Sequence, residues 1–447
     1  MPNSIGYQSN TACDPRREVD LITTGPIKSN AVRSACAECR IKDSRYTFYA
    51  FDAFCALGSE ITELDGHQGK RIMRINRVEV LAVAPRVQRF TWSHDLPGQH
   101  MTNTLVRIST DEGIQGVGGV SNYTSFDFDR YTCETMRHMI PALVGVDPLM
   151  REQIWNQLWS RVFPYPPQAL AAIDIALWDL LGKHANLPVY QLLGGTCDRI
   201  RSYASTPLLD DVDSYLRYVD QMIEQGFRAI KFHCWCLPDK DRALVQAVRQ
   251  SHRDDDVAFM LDVENNYDWR SSLEMAKELA DLGFTWFEAP LMDYDLEGYR
   301  KLTERSGVDI VPSGNWIQDL PAYEQALRTR CWTRARTDVT VCGGFTAALK
   351  YLALVKAAGM KCEIMSWGNT MISSANLNLM LGLGTSSYFE QAVPYESYEY
   401  GMHDVIRTDA DGYVHAPSKP GLGYEIDWPA MEAATIHRLD SRELAGG

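Results

Sequence analysis

From Met73 onward the chain is written in regular alternations of apolar and polar positions. Residues 1–72 instead mix Ser, Asn, Thr, Cys and Arg with no sustained helical or strand period. Arg74-Ile75-Asn76-Arg77-Val78-Glu79-Val80-Leu81-Ala82-Val83 alternates as a half-buried strand does, and Thr104-Leu105-Val106-Arg107-Ile108-Ser109-Thr110 repeats the pattern. Asp111-Glu112-Gly113 reads as a turn and Gly116-Val117-Gly118-Gly119-Val120 as the next strand, which predicts a small antiparallel meander. Helical text follows over residues 127–159. A second helix is predicted over 168–183, with small residues on one face for close packing and Gly182 and Pro188 marking its end.

Beyond Arg199 strand and helix alternate. Apolar strands end near Ser205, His233, Glu264, Glu288, Gly314, Asp338, Ser366 and Glu390, with amphipathic helices such as 213–225 and 273–282 between them. The steps Asp262 to Glu288, Glu288 to Asn315, Asn315 to Asp338 and Asp338 to Met365 span 26, 27, 23 and 27 residues. Each is close to one strand–helix unit of a TIM-type barrel of roughly 250 residues. No Gly-x-Gly-x-x-Gly turn follows a strand, which leaves an open doubly wound sheet without its signature.

Composition narrows the function class. A chain of 447 residues, 45% hydrophobic and 23% charged, can bury a large core and form two domains or one domain with a satellite. A net charge of −14 without long Lys or Arg runs argues against nucleic acid or an anionic membrane as partner, so an anionic substrate needs a local positive site. Eleven cysteines without regular spacing point to free thiols in a reducing, cytoplasmic setting, and the lone Cys36-x-x-Cys39 has no second pair for zinc. Residues 1–20 are polar with no apolar signal core, and no stretch reaches transmembrane length, so a soluble protein is expected.

The stretch Asp262-Val263-Glu264-Asn265-Asn266 closes an apolar strand in acids and amides. Asp262 and Glu264 are two apart and face one way, and buried carboxylates call for a positive partner, of which a hard cation such as Mg²⁺ is the simplest. Alone, the stretch reads more readily as a plain helix N-cap or turn. At the period of the barrel, however, Lys231, His233, Asp262, Glu264, Glu288, Asn315, Asp338 and Glu390 fall on one mouth, where barrel enzymes hold their chemistry. The polar and aromatic loop before the second strand, with Trp92, His94 and His100, is a candidate cover over that mouth, and Tyr123 and Trp367 are further candidate substrate contacts.

These residues carry a resemblance. Ala172-Ile173-Asp174-Ile175-Ala176-Leu177-Trp178-Asp179-Leu180 with Gly182-Lys183, then Leu192-Leu193-Gly194-Gly195, Phe287-Glu288-Ala289-Pro290-Leu291, Asp338 before Cys342-Gly343-Gly344, and Phe389-Glu390-Gln391 follow one another as in the enolase superfamily. The chain resembles its mandelate racemase and muconate lactonizing enzyme branch from about residue 73 to residue 425. The resemblance implies an α/β fold, a modified (β/α)₇β TIM barrel with an N-terminal α+β capping domain. The implied division is an extension over 1–72, a cap over 73–195, a barrel over 196–400 and a segment over 401–447 that returns to the cap. It also implies Mg²⁺, a small carboxylate substrate, proton abstraction beside that carboxylate, and assembly as a homo-oligomer.

By position, Asp262 and Glu288 match metal ligands of the family. The third ligand, usually Glu, is Asn315 here, whereas the third strand gains Glu264, so ligand charge is expected to be conserved. Lys231-Phe232-His233 stands where the family often has Lys-x-Lys, which makes His233 the expected base, held neutral by the Lys231 ammonium. Asp338 matches an acid that orients a second-base His, but Met365 occupies the His position and carries no proton. Glu390 matches the acid that hydrogen-bonds the enediolate, and Trp367 follows the Met365 strand. The resulting expectation is a Mg²⁺-dependent lyase that dehydrates a sugar acid. The alternatives are a one-base isomerase, cycloisomerase or racemase of a hydroxy acid, and a non-catalytic metal-binding paralogue.

Overall fold

The three strands predicted from alternation form, and a fourth joins them from the far end of the chain. In the computed structural model, β1 (Ile75–Val83), β2 (His100–Thr110) and β3 (Gln115–Thr124) make the antiparallel meander. The last strand, β11 (Thr435–Asp440), pairs with β1, giving the order β11-β1-β2-β3. The structure describes residues 72–444, apart from 88, 92–96, 125–128, 161–166 and 254–255, and describes only the backbone of 123 and 124. The expected N-terminal extension therefore lies outside the described residues except for Ile72.

Close packing explains why β3 is rich in glycine. The helix Gln168–Ala185 lies directly on it: a Cβ at Gly116 would stand 2.1 Å from the Ala176 carbonyl oxygen, and one at Gly118 would stand 2.2 Å from that of Ala172. Gly118→Ala is therefore expected to destabilise the protein by about 1–3 kcal/mol through overpacking, read as a lower urea midpoint at unchanged slope.

The same helix clamps distant segments through two buried acids. Asp174 accepts from the backbone N–H (3.0 Å) and hydroxyl (2.6 Å) of Thr346, at the start of the helix Phe345–Ala357. Gly344, at φ +96°, leaves room for it, because a Cβ there would meet the Asp174 carboxylate at 2.3 Å. Asp179 accepts from Val117 N (2.7 Å) on β3, from Leu422 N (2.8 Å) and from Lys183 Nζ (2.7 Å).

The second sheet is the barrel wall. Strands β4 (Arg199–Ser205), β5 (Ala229–His233), β6 (Ala258–Asp262), β7 (Trp286–Glu288) and β8 (Asp309–Val311) pair in parallel in sequence order, and β9 (Phe389–Ala392) pairs with the other edge of β4. A short antiparallel strand, β10 (Tyr413–His415), also joins β4. Tyr203, Met260, Trp286 and Val311 pack together in the barrel interior. The fold is thus a modified TIM barrel with an N-terminal α+β cap.

Two of the eight expected strands do not form regular ladders. Residues 335–337 and 361–365 run side by side through Ala335 N to Lys361 O (2.9 Å), Glu363 N to Ala335 O (2.8 Å) and Met365 N to Thr337 O (3.0 Å). Serine hydroxyls intercept the remaining backbone groups: Ser386 Oγ donates to Cys362 O (2.7 Å) and accepts from Ile364 N (3.2 Å), while Ser366 Oγ donates to Glu390 O (3.1 Å) and accepts from Glu390 N (2.9 Å). Strand β6 also ends at Asp262, two residues before the predicted end, because Glu264 and Asn265 take left-handed backbone (φ 50° and 62°). Strand β8 stops at Val311, ahead of Gly314 at φ +78°. Among the described residues no helix is long and apolar enough to cross a membrane.

Candidate active site

Alternation along β5 points Lys231 and His233 to the same interior face. Lys231 is 1% exposed, and its ammonium meets Asp262 Oδ2 (3.0 Å), Glu288 Oε1 (2.7 Å) and Glu390 Oε1 (2.8 Å). An ammonium has three donors, so each is engaged by a carboxylate. Arg336, also buried, places Nη2 2.8 Å from Glu288 Oε1 and 3.1 Å from Glu390 Oε2. Trp286 Nε1 donates to Glu288 Oε2 (3.0 Å) and Ser205 Oγ to Glu390 Oε1 (3.0 Å). Burial alone would raise the Glu390 carboxyl, but Lys231 and Arg336 hold it well below the usual carboxylate range. Lys231 likewise stays an ammonium: burial disfavours the charge, and Glu288 and Glu390 more than offset it.

His233 sits at the edge of this layer. Its Nδ1 lies 2.6 Å from the Thr206 carbonyl oxygen, which fixes the proton on that nitrogen and turns Nε2 toward Asp262 Oδ2 (3.4 Å) and Glu264 Oε1 (3.3 Å). Burial lowers the imidazole, but the hydrogen bonds to Asp262 and Glu264 push it up to about 10. The expectation that Lys231 holds His233 neutral is therefore corrected: Lys231 is engaged by three carboxylates, and its influence on His233 is outweighed by the two acids beside the ring.

Asp338 and Met365 also line the cavity, and three neutral donors meet Asp338 through Oδ1 alone: Thr340 N (2.7 Å), Thr340 Oγ1 (2.7 Å) and Asn376 Nδ2 (2.8 Å). Asn315 rides on a loop fixed by Asp293, which accepts from Ser313 N (2.8 Å), Ser313 Oγ (2.7 Å) and Gly314 N (2.9 Å).

Lys231, His233, Asp262, Glu264, Glu288, Asn315, Asp338, Glu390 and Trp367 all line one cavity of about 270 Å³. His100, at the start of β2, is not among its lining residues. Trp92 and His94 lie outside the described residues, as does the side chain of Tyr123. The sequence reading missed Ser121, Asn122 and Gln168, which the cap contributes, and Gln318 and Arg336 from the barrel. Arg336 was within reach, since it stands two residues before Asp338 and a strand repeats its facing every second residue.

The residues present fit a divalent cation. Glu264 meets no Lys or Arg among the described residues; its ion-pair partner is the His233 ring at 3.3 Å, and Asp262 shares the same ring at 3.4 Å. Ligand atoms of His233, Asp262 and Glu264 lie within 4.8 Å of one another, with the Asn315 amide on the same cavity. Glu288 has its oxygens engaged by Lys231, Arg336 and Trp286.

A capped barrel with a ring of acids and a Lys-x-His strand at its mouth defines an enolase-type enzyme. Residues 214–430 match the family described as Enolase C-terminal domain-like, and residues 78–194 match the Mandelate racemase / muconate lactonizing enzyme, N-terminal domain. The chain belongs to the mandelate racemase and muconate lactonizing enzyme branch of the enolase superfamily. A solved structure from Pseudovibrio sp., assigned to the same enzymes, is 40% identical with a TM-score of 0.81, over 83% of this chain and 99% of that one. Characterised relatives divide among reactions. N-succinyl-L-Arg/Lys racemase of Bacillus cereus is 26% identical over 75% of this chain and 91% of its own length, and arabinonate dehydratase of Saccharolobus solfataricus is 26% identical over 73% and 88%. Others at similar identity are cycloisomerases.

Proposed function

We propose that the protein is a Mg²⁺-dependent lyase that removes water from a sugar acid by abstracting the proton beside its carboxylate. The observation that carries this reading is the exchange of a second base for a thioether: His233 faces the cavity from β5, whereas Met365 lines it at the position where a second-base His is expected, and three neutral donors hold Asp338. A single base on one face suits syn elimination, in which one group serves both bond-breaking steps.

Asp262 and Glu264, with Asn315 and Glu288 on the same cavity, are the residues that would hold the cation. The ion would supply a Lewis acid for the substrate carboxylate, and His233 accepts a proton in its neutral form. His233 Nε2 takes the α-proton, leaving an enediolate. The imidazolium then protonates the departing β-hydroxyl as the carbon–oxygen bond breaks, and water leaves. The resulting enol takes up a proton at its β-carbon and gives up its hydroxyl proton, becoming a 2-keto-3-deoxy acid. Thr206 holds the imidazole by Nδ1 throughout and keeps Nε2 aimed at the substrate.

The test is a panel of aldonic and aldaric acids incubated with the protein and Mg²⁺ in deuterated water. Dehydration appears as loss of the mass of one water, whereas a cycloisomerase or racemase conserves the substrate's mass. No exchange and no mass change with any acid would sink the reading. The metal assignment has its own check. Glu264→Gln is expected to weaken Mg²⁺ binding by roughly tenfold or more, measured by calorimetry, because it removes ligand charge that Asn315 does not supply. Unchanged affinity would reassign the cation to other ligands.

A further inference from the structure

His233 is held as a metal ligand is held. Its Nδ1 lies 2.6 Å from the Thr206 carbonyl oxygen, so that nitrogen carries the proton and Nε2 faces Asp262 Oδ2 at 3.4 Å and Glu264 Oε1 at 3.3 Å. A backbone carbonyl on one ring nitrogen, with carboxylates about the other, is the arrangement that orients an imidazole toward a metal. The strand end is fixed behind the ring as well, because Tyr215 Oη donates to the His233 carbonyl oxygen.

The gap between the ring and the two acids suits a metal ion better than a proton. Charge-assisted N–H···O bonds close to about 2.7–2.9 Å, and neither acid comes that near. Ligands of a tetrahedral ion at about 2.0–2.1 Å stand about 3.3–3.4 Å apart, whereas neighbouring ligands of octahedral Mg²⁺ at the same bond length stand about 2.8–3.0 Å apart. Ligand atoms of the three residues lie within 4.8 Å of one another, and Glu264, with its side chain 30% exposed, has the room to close in. The backbone is bent to place that acid: Glu264 takes φ 50°, costly for a residue with a Cβ, and its N–H donates to Asp262 Oδ1 (3.0 Å), which leaves Asp262 Oδ2 for Lys231 and the ring. An imidazole in the donor set selects Zn²⁺ and its neighbours in the first transition row, whereas Mg²⁺ takes oxygen ligands.

We propose that His233, Asp262 and Glu264 form a second mode of metal binding at the barrel mouth, taking Zn²⁺ or a similar transition-metal ion through His233 Nε2, and that an ion so bound switches the enzyme off by occupying the lone pair that accepts the α-proton. The binding half rests on the geometry of the three side chains, and the switch rests on the reading of His233 as the base. Asp262 and Glu264 serve both ions, so the two compete, and the ratio of transition metal to Mg²⁺ sets the active fraction.

The test measures Zn²⁺ and Mg²⁺ affinities of the metal-free protein by calorimetry, Zn²⁺ in competition with a chelator, and uses Co²⁺ as a spectroscopic probe of the same ligands. Wild type is expected to bind Zn²⁺ at least ~100-fold more tightly than Mg²⁺ and to show the intense visible absorption of four-coordinate cobalt. His233→Asn is expected to lose the cobalt absorption and at least ~10-fold of the Zn²⁺ affinity, with Mg²⁺ affinity and thermal midpoint near wild type. Zn²⁺ affinity that survives His233→Asn, or equal weakening of both ions, would overturn the proposal. So would the pale absorption of six-coordinate cobalt in the wild type, which decides the matter without any variant. With a panel acid that exchanges its α-proton under Mg²⁺, Zn²⁺ is expected to stop the exchange, and chelator followed by Mg²⁺ to restore it; exchange that continues with Zn²⁺ at saturation overturns the switch. Failure of the proton-abstraction reading looks different: no acid exchanges under Mg²⁺, which removes the switch together with its base, while the preference for Zn²⁺ and its dependence on His233 stand.

Discussion

Lys231→Met is expected to cost about 3–5 kcal/mol of stability, the largest loss of any single replacement at the barrel mouth. The ammonium is the shared partner of Asp262, Glu288 and Glu390, at 3.0, 2.7 and 2.8 Å. Methionine fills a similar volume but leaves three buried carboxylates with Arg336 as their one permanent cation, and Arg336 reaches only Glu288 and Glu390. An uncompensated buried charge is far costlier than a missing pair, because the remaining partner loses both water and counter-charge. The measurement is guanidinium denaturation of the protein without added Mg²⁺, so that bound ion does not mask the effect. A double variant with Glu390→Gln is expected to recover part of the loss, since one of the stranded carboxylates is then neutral. Equal stability of wild type and Lys231→Met would show that the three acids are compensated elsewhere.

The barrel was legible because its repeat is a length and a facing, and both are written in the chain. Successive strand ends spaced at strand–helix intervals place Lys231, Asp262, Glu288 and Glu390 on one mouth before any coordinate is known, and the cavity brings the same four together. Hydroxyl-to-backbone bonds are what the periodicity could not foretell: Ser366 and Ser386 bond backbone groups of residues 362, 364 and 390, and the sixth and seventh strands shrink to irregular stretches. Side-chain partners across long separations were equally hidden. Asp338 reads as a catalytic acid in its own stretch, yet Asn376 holds it from the helix Thr370–Leu383. Asp174 and Asp179 carried the resemblance as part of a motif, and the structure places them as clamps between the cap, the barrel helix and the C-terminal segment rather than in the cavity. Arg336 escaped because an arginine in the polar run Thr333-Arg334-Ala335-Arg336-Thr337 reads as a rim charge until its burial is known.

His233→Asn is expected to lower α-proton exchange by a factor of about 10²–10⁴, the span that one general base contributes. Asparagine is chosen because its side-chain amide can still donate to the Thr206 carbonyl oxygen, which His233 Nδ1 meets at 2.6 Å, so the local fold has a partner while the proton-accepting nitrogen is gone. Three neighbours are ill suited to take over. Lys231 remains an ammonium among three carboxylates, Glu390 is held ionised by Lys231 and Arg336 on the far side of that layer, and Met365 carries no proton. Exchange is measured by NMR in deuterated water, with Mg²⁺ affinity and thermal midpoint recorded in parallel. Because exchange and water loss share the first step, both should fall together; exchange that survives while dehydration stops would move His233 from the base to the acid that protonates the leaving hydroxyl. Exchange and dehydration that both continue at the wild-type rate would leave the one-base reading without its base, and the candidates to replace it would be the other acids on the cavity, Glu264 and Asp338.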